Sequence, residues 1–175
     1  MENLNTSAVA LPRRRESSAC HRIRRRQFLP IPRQEAWAFF SSAANLARIT
    51  PSYMGFRIRH MHPPGGIQEG QRITYTVRPL LGLPLTWLTG ITRVEAARTF
   101  TDEQLKGPYK LWRHRHSFEE VPGGTVVCDE VEYQMPFGVL GELVHRLVVR
   151  RRLEQIFDHR QRTLQALFPV PCNLG

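Results

Sequence analysis

The sequence predicts an α+β domain: a curved antiparallel sheet of six or seven strands wrapped around one long C-terminal helix, with two short helices after the first strand. Three observations predict it. Period-two alternation, broken by Gly and Pro turns, runs through most of residues 56–135. A helical apolar period then holds from about Leu140 to Phe168, with no breaker before Pro169. Between the first strand and the meander lie two short helical stretches, each closed by Ser, Thr or Pro. An amphipathic helix beside a meander buries its apolar stripe most simply if the sheet bends around it. A sheet gripping a single helix rarely fills its own interior, so a cavity is expected.

Residues 1 to about 20 are polar, arginine-rich and aperiodic, and are assigned to a disordered basic extension; residues 21–170 form the domain. Glu2 and Glu16 count against a transit peptide. The first strand runs from near His21 through Phe28 and Leu29. Pro32 opens a helix whose apolar face is Ala36, Trp37, Phe39 and Phe40. Ser41 and Ser42 end it, and Asn45 is expected to cap a second helix through Ile49, stopped by Thr50-Pro51. Strands follow around Phe56–His60, from Gln71 to Val77, and through Trp87, Leu88 and Ile91 toward Val94. A loop at Pro63–Gly66 and a turn at Leu80–Pro84 separate them.

The stretch from Phe100 to His116 is a hairpin turned by Gly107-Pro108. After the turn Leu111, Arg113, Arg115 and Ser117 alternate with Trp112, His114, His116 and Phe118, and the arginines mark the wet face. Before it Thr101 and Glu103 face out, so Phe100, Asp102 and Gln104 face in. Pro122-Gly123-Gly124 leads to a last strand, Thr125 to Met135, with Val127, Asp129, Val131 and Tyr133 inward. Pro136-Phe137-Gly138 ends the sheet. The terminal helix, roughly 43 Å long at the usual rise, carries Leu143, Val144, Leu147, Val148, Leu153, Ile156, Phe157 and Leu164 on its apolar stripe.

At 175 residues, with 41% hydrophobic and 23% charged residues, the chain suits one soluble domain. Its formal charge of +10 comes largely from seven arginines between Arg13 and Arg26 and a second group from Arg146 to Arg162. Such charge fits an ordinary solvated surface, or contact with anionic lipid headgroups. Cys20, Cys128 and Cys172 are odd in number and far apart, which argues against a disulfide framework and favours a reducing, cytoplasmic setting. No apolar run reaches the length of about 20 residues that a spanning helix needs. The Gly65-Gly66 loop lacks a following helix or lysine, against a phosphate cradle. The strand aromatics read as core rather than as a base-stacking platform, so no nucleic acid is assigned.

Local motifs sharpen the fold. Phe28-Leu29-Pro30, Glu35-Ala36-Trp37-Ala38-Phe39-Phe40-Ser41, Asn45-Leu46 and Ile49-Thr50-Pro51 open the pattern. Met54-Gly55-Phe56, Trp87-Leu88-Thr89, Asp102-Glu103-Gln104, Gly107-Pro108-Tyr109, Trp112, His114 and His116 continue it. Asp129, Tyr133, Pro136-Phe137-Gly138 and Ile156-Phe157-Asp158-His159-Arg160 close it. Over about residues 24–168 the chain resembles the START-like, or SRPBCC, superfamily of polyketide cyclase/dehydrase and lipid-transport type, in particular a bacterial ligand-binding branch. The resemblance implies a helix-grip fold.

Asp102, His114, His116 and Asp129 share the expected inner face, with Trp87, Gln104, Tyr109, Trp112 and Tyr133 among or beside them. Buried carboxylates need partners, so the acids are expected to pair with the imidazoles. Four readings stay open: a satisfied network that fixes register, a cluster that orients a ligand in an apolar pocket, a His–Asp acid–base pair, and a metal held by His114-x-His116 with Asp102 or Asp129. The nine residues are assigned to ligand binding, with no metal and no cofactor. The expected function is binding or carriage of a hydrophobic small molecule, whether lipid, isoprenoid or polyketide-like, between the sheet and the terminal helix. Its rivals are a cyclase or dehydratase using the same residues, and a regulatory protein whose cavity is only structural.

Overall fold

The structure, a computed structural model, describes residues 19–79 and 82–170. Nearly all of the expected extension, Leu80 and Leu81 of the expected turn, and Cys172 lie outside the described residues. β1 (Cys20–Leu29) leads into α1 (Arg33–Phe40), α2 (Ala43–Arg48) and a short 3-10 turn, Ser52–Met54. Then come β2 (Arg57–His62), β3 (Arg72–Val77), β4 (Leu85–Glu95), β5 (Thr99–Lys106), β6 (Leu111–Val121) and β7 (Gly124–Gln134). A continuous helical stretch closes the chain: α3 (Gly138–Val144), a π-helical turn (His145–Val149) and α4 (Arg150–Leu167). The seven strands form one antiparallel sheet in the order β1-β7-β6-β5-β4-β3-β2. The first strand thus pairs with the last, as Ile23 opposite Val131 shows. The helix-grip architecture expected from the sequence is the one observed.

The meander follows from its punctuation. β2 is an edge strand, short, exposed and arginine-bearing, with a bulge between Ile58 and His60, features that protect a free edge from pairing with another chain. Gln71, fully buried, sits just before β3 rather than in it; its amide donates to the carbonyls of Pro63 (2.8 Å) and Gly66 (3.3 Å) and anchors the Pro-Gly loop. The outer face is not uniformly wet. Thr101, opposite Arg93 and Arg115, and Cys128, opposite Arg26, are both buried, because long arginine stems cover small neighbours.

Two expectations are corrected. Ser42, not Asn45, stands at the start of α2; Asn45 lies one residue beyond the helix's second position, and its amide donates to the Phe39 carbonyl at 3.0 Å, tying the two short helices together. The terminal helix also has a different phase from the one its apolar residues suggest. Its buried positions are Gly141, His145, Val149, Leu153, Phe157, Arg160 and Leu164. Leu143, Val144, Leu147 and Val148 are exposed. A spacing of four drifts by about 40° per step on a helix of 3.6 residues per turn, and the wider π turn absorbs part of that drift.

Three packed groups hold the layers together. Leu29, Phe39, Phe100, Phe118, Val127 and Leu164 join α1 and the end of α4 to the sheet. Ile23, Val131, Tyr133, Val149, Leu153 and Phe157 seat the middle of the long helix on β1 and β7. Met54, Val77 and Trp87 form a third group under β3 and β4. The space between these groups is the site.

Candidate functional site

A cavity of about 250 Å³ lies between the inner face of the sheet, α1–α2 and the terminal helix. That is near the lower end of the roughly 300–1,000 Å³ usual for small-molecule sites. Its walls are mostly apolar: Ile73, Val77, Ile91, Phe100, Met135, Leu153 and Phe157 with the aromatic rings of Tyr75, Trp87, Tyr109 and Trp112. Exposed Leu85 and Arg152 belong to the lining, so the cavity opens to solvent on that side. The rings brace one another. Trp87 meets Trp112 edge-on at 5.3 Å and Tyr75 face-on at 5.9 Å, and Tyr109 lies 4.8 Å from Trp112. Burial pushes the Tyr75 and Tyr109 hydroxyls upward, so both stay protonated donors at neutral pH.

One end of the cavity is polar. Period two on β6 turns His114 and His116 inward, where they are 7% and 5% exposed, and β5 presents Asp102 opposite His114. Asp129 of β7 stands opposite His116. Ionised carboxylates only accept, so the imidazoles donate: His114 Nε2 to Asp129 Oδ1 at 3.0 Å and His116 Nε2 to Asp102 Oδ2 at 3.1 Å. His116 Nδ1 lies 2.9 Å from Asp129 Oδ1 as a charge contact off hydrogen-bond alignment. Arg160 of α4, itself buried, completes the group by donating from Nη2 to Asp129 Oδ1 at 3.1 Å.

The charges follow from this arrangement. Burial alone would raise the pKa of Asp129, but the Arg160 guanidinium and the two imidazoles hold it well below the ordinary carboxylate value. Burial also opposes charge on His116, yet its bond to Asp102 and its close contact with Asp129 outweigh that and raise its pKa. His114 goes the other way, lowered by burial and by its neighbour His116, with ring centroids 3.8 Å apart. One imidazole thus favours holding a proton beside one that favours neutrality. Phe100 stacks on His116 at 4.2 Å and Phe157 meets His114 edge-on at 5.8 Å, fixing both rings.

Of the nine residues singled out in the sequence, Trp87, Asp102, Tyr109, Trp112, His114 and His116 line the cavity. Asp129 stands behind the two histidines, facing Arg160. Gln104 is spent on the hairpin turn, donating to the Tyr109 carbonyl at 2.7 Å and accepting from the Tyr109 amide at 3.3 Å. Tyr133 reaches toward the terminal helix, its hydroxyl 2.8 Å from His145 Nε2. Gln104 and Tyr133 are therefore off the cavity wall. Arg160 and Tyr75 line it and were not singled out. For Arg160 the signal was its place on the helix, three residues after Phe157 and four before Leu164, within the apolar stripe rather than beside it. Ligand atoms of Asp102, His114 and His116 lie within 4.8 Å of one another, the span of a metal site. The histidine nitrogens facing the acids are already engaged, and buried Arg160 lies in the same network, so the donor set suits an anionic or hydrogen-bonding guest better than a cation.

No family model matches the chain, and neither does any curated protein. Solved structures do. The di-domain ARO/CYC StfQ from the steffimycin biosynthetic pathway superposes with a TM-score of 0.66 at 15% identity, over 85% of this chain and 50% of that one. Protein CV1439 from Chromobacterium violaceum gives a TM-score of 0.64 at 12% identity, over 86% of this chain and 99% of that one. Ara h 8.0201 gives 0.56 at 16% identity, over 85% and 99%. The chain spans about half of the di-domain protein and nearly all of the other two.

Proposed function

The chain has the helix-grip fold of the START-like (SRPBCC) superfamily, and from that premise we propose that it binds and carries a hydrophobic small molecule: a lipid, an isoprenoid or a polyketide-like compound. The observation that carries this reading is the cavity itself, aromatic along its length and polar at one end. Apolar surface there favours an apolar body, while Asp102, His114, His116 and Arg160 orient a polar head. Trp87 Nε1 is buried without a partner on the same wall, which suits a guest with an acceptor along its body. Thermal-shift and tryptophan-quenching titrations with fatty acids, isoprenoid quinones and aromatic polyketides test this. One class should raise the melting temperature and quench Trp87 and Trp112 saturably. No response from any class favours the regulatory reading, in which the cavity is only structural.

A second reading, a cyclase or dehydratase, has its own support in the paired imidazoles of opposite tendency. Neutral His114 could take a proton from a carbon beside a carbonyl, and protonated His116 could give one to the departing or developing oxygen. The di-domain ARO/CYC likeness is in keeping with that chemistry. His114→Ala and His116→Ala separate the two readings: catalysis demands loss of turnover with binding largely kept, whereas orientation demands that binding fall with them.

Delivery at an anionic membrane surface completes the proposal. Phe137, Val139, Leu140, Leu143 and Leu147 are exposed, Leu147 at 70%, and Arg146, Arg150, Arg151 and Arg152 are interleaved or follow directly. Among the described residues no helix is long and apolar enough to cross a membrane. The strand arginines contribute less than their number suggests. Arg22, Arg24, Arg25 and Arg26 are paired with Glu132, Glu130, Asp158 and Glu119. Flotation with phosphatidylserine vesicles should recover the protein and neutral vesicles should not; equal recovery contradicts the idea.

A further inference from the structure

A second cluster of ligating side chains lies outside the cavity, where β1, β7 and the start of the terminal helix meet. Phe137 and Gly138 take positive φ (64° and 52°), turning the chain sharply off the sheet. Gly141 then packs so closely that a Cβ there would run into the Pro136 carbonyl oxygen. That approach sets Glu142 and His145, three apart on one helix face, against His21 of β1. His145 opens the π turn, a distortion that often marks functional positions.

The contacts leave donor atoms unspent. His21 Nε2 donates to Glu142 Oε2 at 2.8 Å, and the rings of His21 and His145 stack at 3.6 Å. His145 is 4% exposed, its Nε2 is 2.8 Å from the Tyr133 hydroxyl, and its Nδ1 is buried with no partner. Glu142 Oε1 is likewise buried and unpartnered. One ligating atom from each of His21, Glu142 and His145 falls within 4.8 Å of the others. Bonds of about 2.0–2.2 Å to a shared ion would need those atoms drawn slightly closer and the stacked rings turned.

We propose that His21, Glu142 and His145 form a site for a divalent transition-metal ion of the zinc class, with His145 ligating through Nδ1. Two imidazoles and a carboxylate are a borderline donor set that suits zinc and its neighbours over calcium or magnesium. Tyr133 is the positioning residue: its hydroxyl oxygen, by accepting a hydrogen bond from the His145 Nε2–H, leaves the Nδ1 lone pair free for the ion. Arg150, at the start of α4, is held by Glu154 at 3.2 Å. His21 and Glu142 are partly exposed, giving an ion a way in. Bound metal would clamp the first strand to the head of the long helix.

The test uses the full chain, stripped with a chelator and titrated with Zn²⁺ by calorimetry and with Co²⁺ by visible absorption. One ion per chain is expected, with the intense absorption of a low-symmetry site. Glu142→Gln keeps an acceptor for His21, so the fold is retained while binding is lost; His145→Ala should lose it too. Tyr133→Phe should weaken affinity about 10-fold. Cys20→Ser should leave it unchanged. Absence of binding in the unaltered protein would overturn the site, reducing the cluster to a hydrogen-bonded latch. So would binding that survives Glu142→Gln and His145→Ala, that vanishes with Cys20→Ser, or that is lost in His116→Ala instead.

Discussion

The two polar clusters of this molecule are built from the same side chains to opposite ends. Under the sheet, two histidines and two aspartates come with their own cation, Arg160, and form a charged network at the end of an apolar cavity. At the head of the terminal helix, two histidines and one glutamate come with a tyrosine and leave His145 Nδ1 and Glu142 Oε1 unmatched. On the proposals above, the first orients a guest and the second holds an ion. Their histidines and carboxylates do not separate them; the buried arginine does.

The largest effect expected from breaking this contrast is at Arg160. Arg160→Met leaves Asp129 buried beside the histidines without its guanidinium, and removing one partner of a buried pair costs about 3–5 kcal/mol. Urea denaturation should show it. Asp129→Leu combined with Arg160→Met should recover part of that loss, since a hydrophobic replacement of a buried pair is often tolerated. Glu142→Gln, without metal, should cost no more than about 1 kcal/mol, because its bond to His21 is partly exposed and an amide oxygen replaces the carboxylate.

A pH series sharpens the same comparison. The pKa of His116 is raised, so its contribution to stability is whole below the ordinary value of 6.5 and is lost as pH rises through the raised pKa. The pKa of Asp129 is depressed, so its contribution is whole above the ordinary 3.8 and is lost as pH falls toward the depressed pKa. Ring-proton NMR should place the His116 titration above pH 6.5 and those of His114 and His145 below it. If His114 and His116 titrated together near 6.5, the network would not be the buried one described.

The hairpin was legible because a strand's period is two: two arginines on one face of β6 assign His114 and His116 to the other. The helix was legible in extent but not in phase. A π turn leaves no mark in composition, and Leu143, Val144, Leu147 and Val148 continue an apolar pattern that the structure turns outward. Arg160 was hidden by its surroundings, since a charged residue in a basic run reads as solvated unless its helical position is counted. The tie from Gln104 to the Tyr109 backbone was not legible because alternation does not reveal the side-chain partners of a turn. Nothing in the sequence around Glu142 and His145 pairs them with His21, which lies more than a hundred residues away and meets them only through the β1–β7 pairing.

Widest in consequence is a change of cavity shape. Ile91→Trp fills space on the cavity wall beside Asp102 and should leave the fold intact at a cost of about 1–3 kcal/mol. Native mass spectrometry of the protein purified from its own host, beside this variant, tests the carrier proposal most directly. A single hydrophobic molecule bound to the unaltered chain and absent from Ile91→Trp is the expected result. An empty unaltered chain, or an adduct equally present in both, would contradict it.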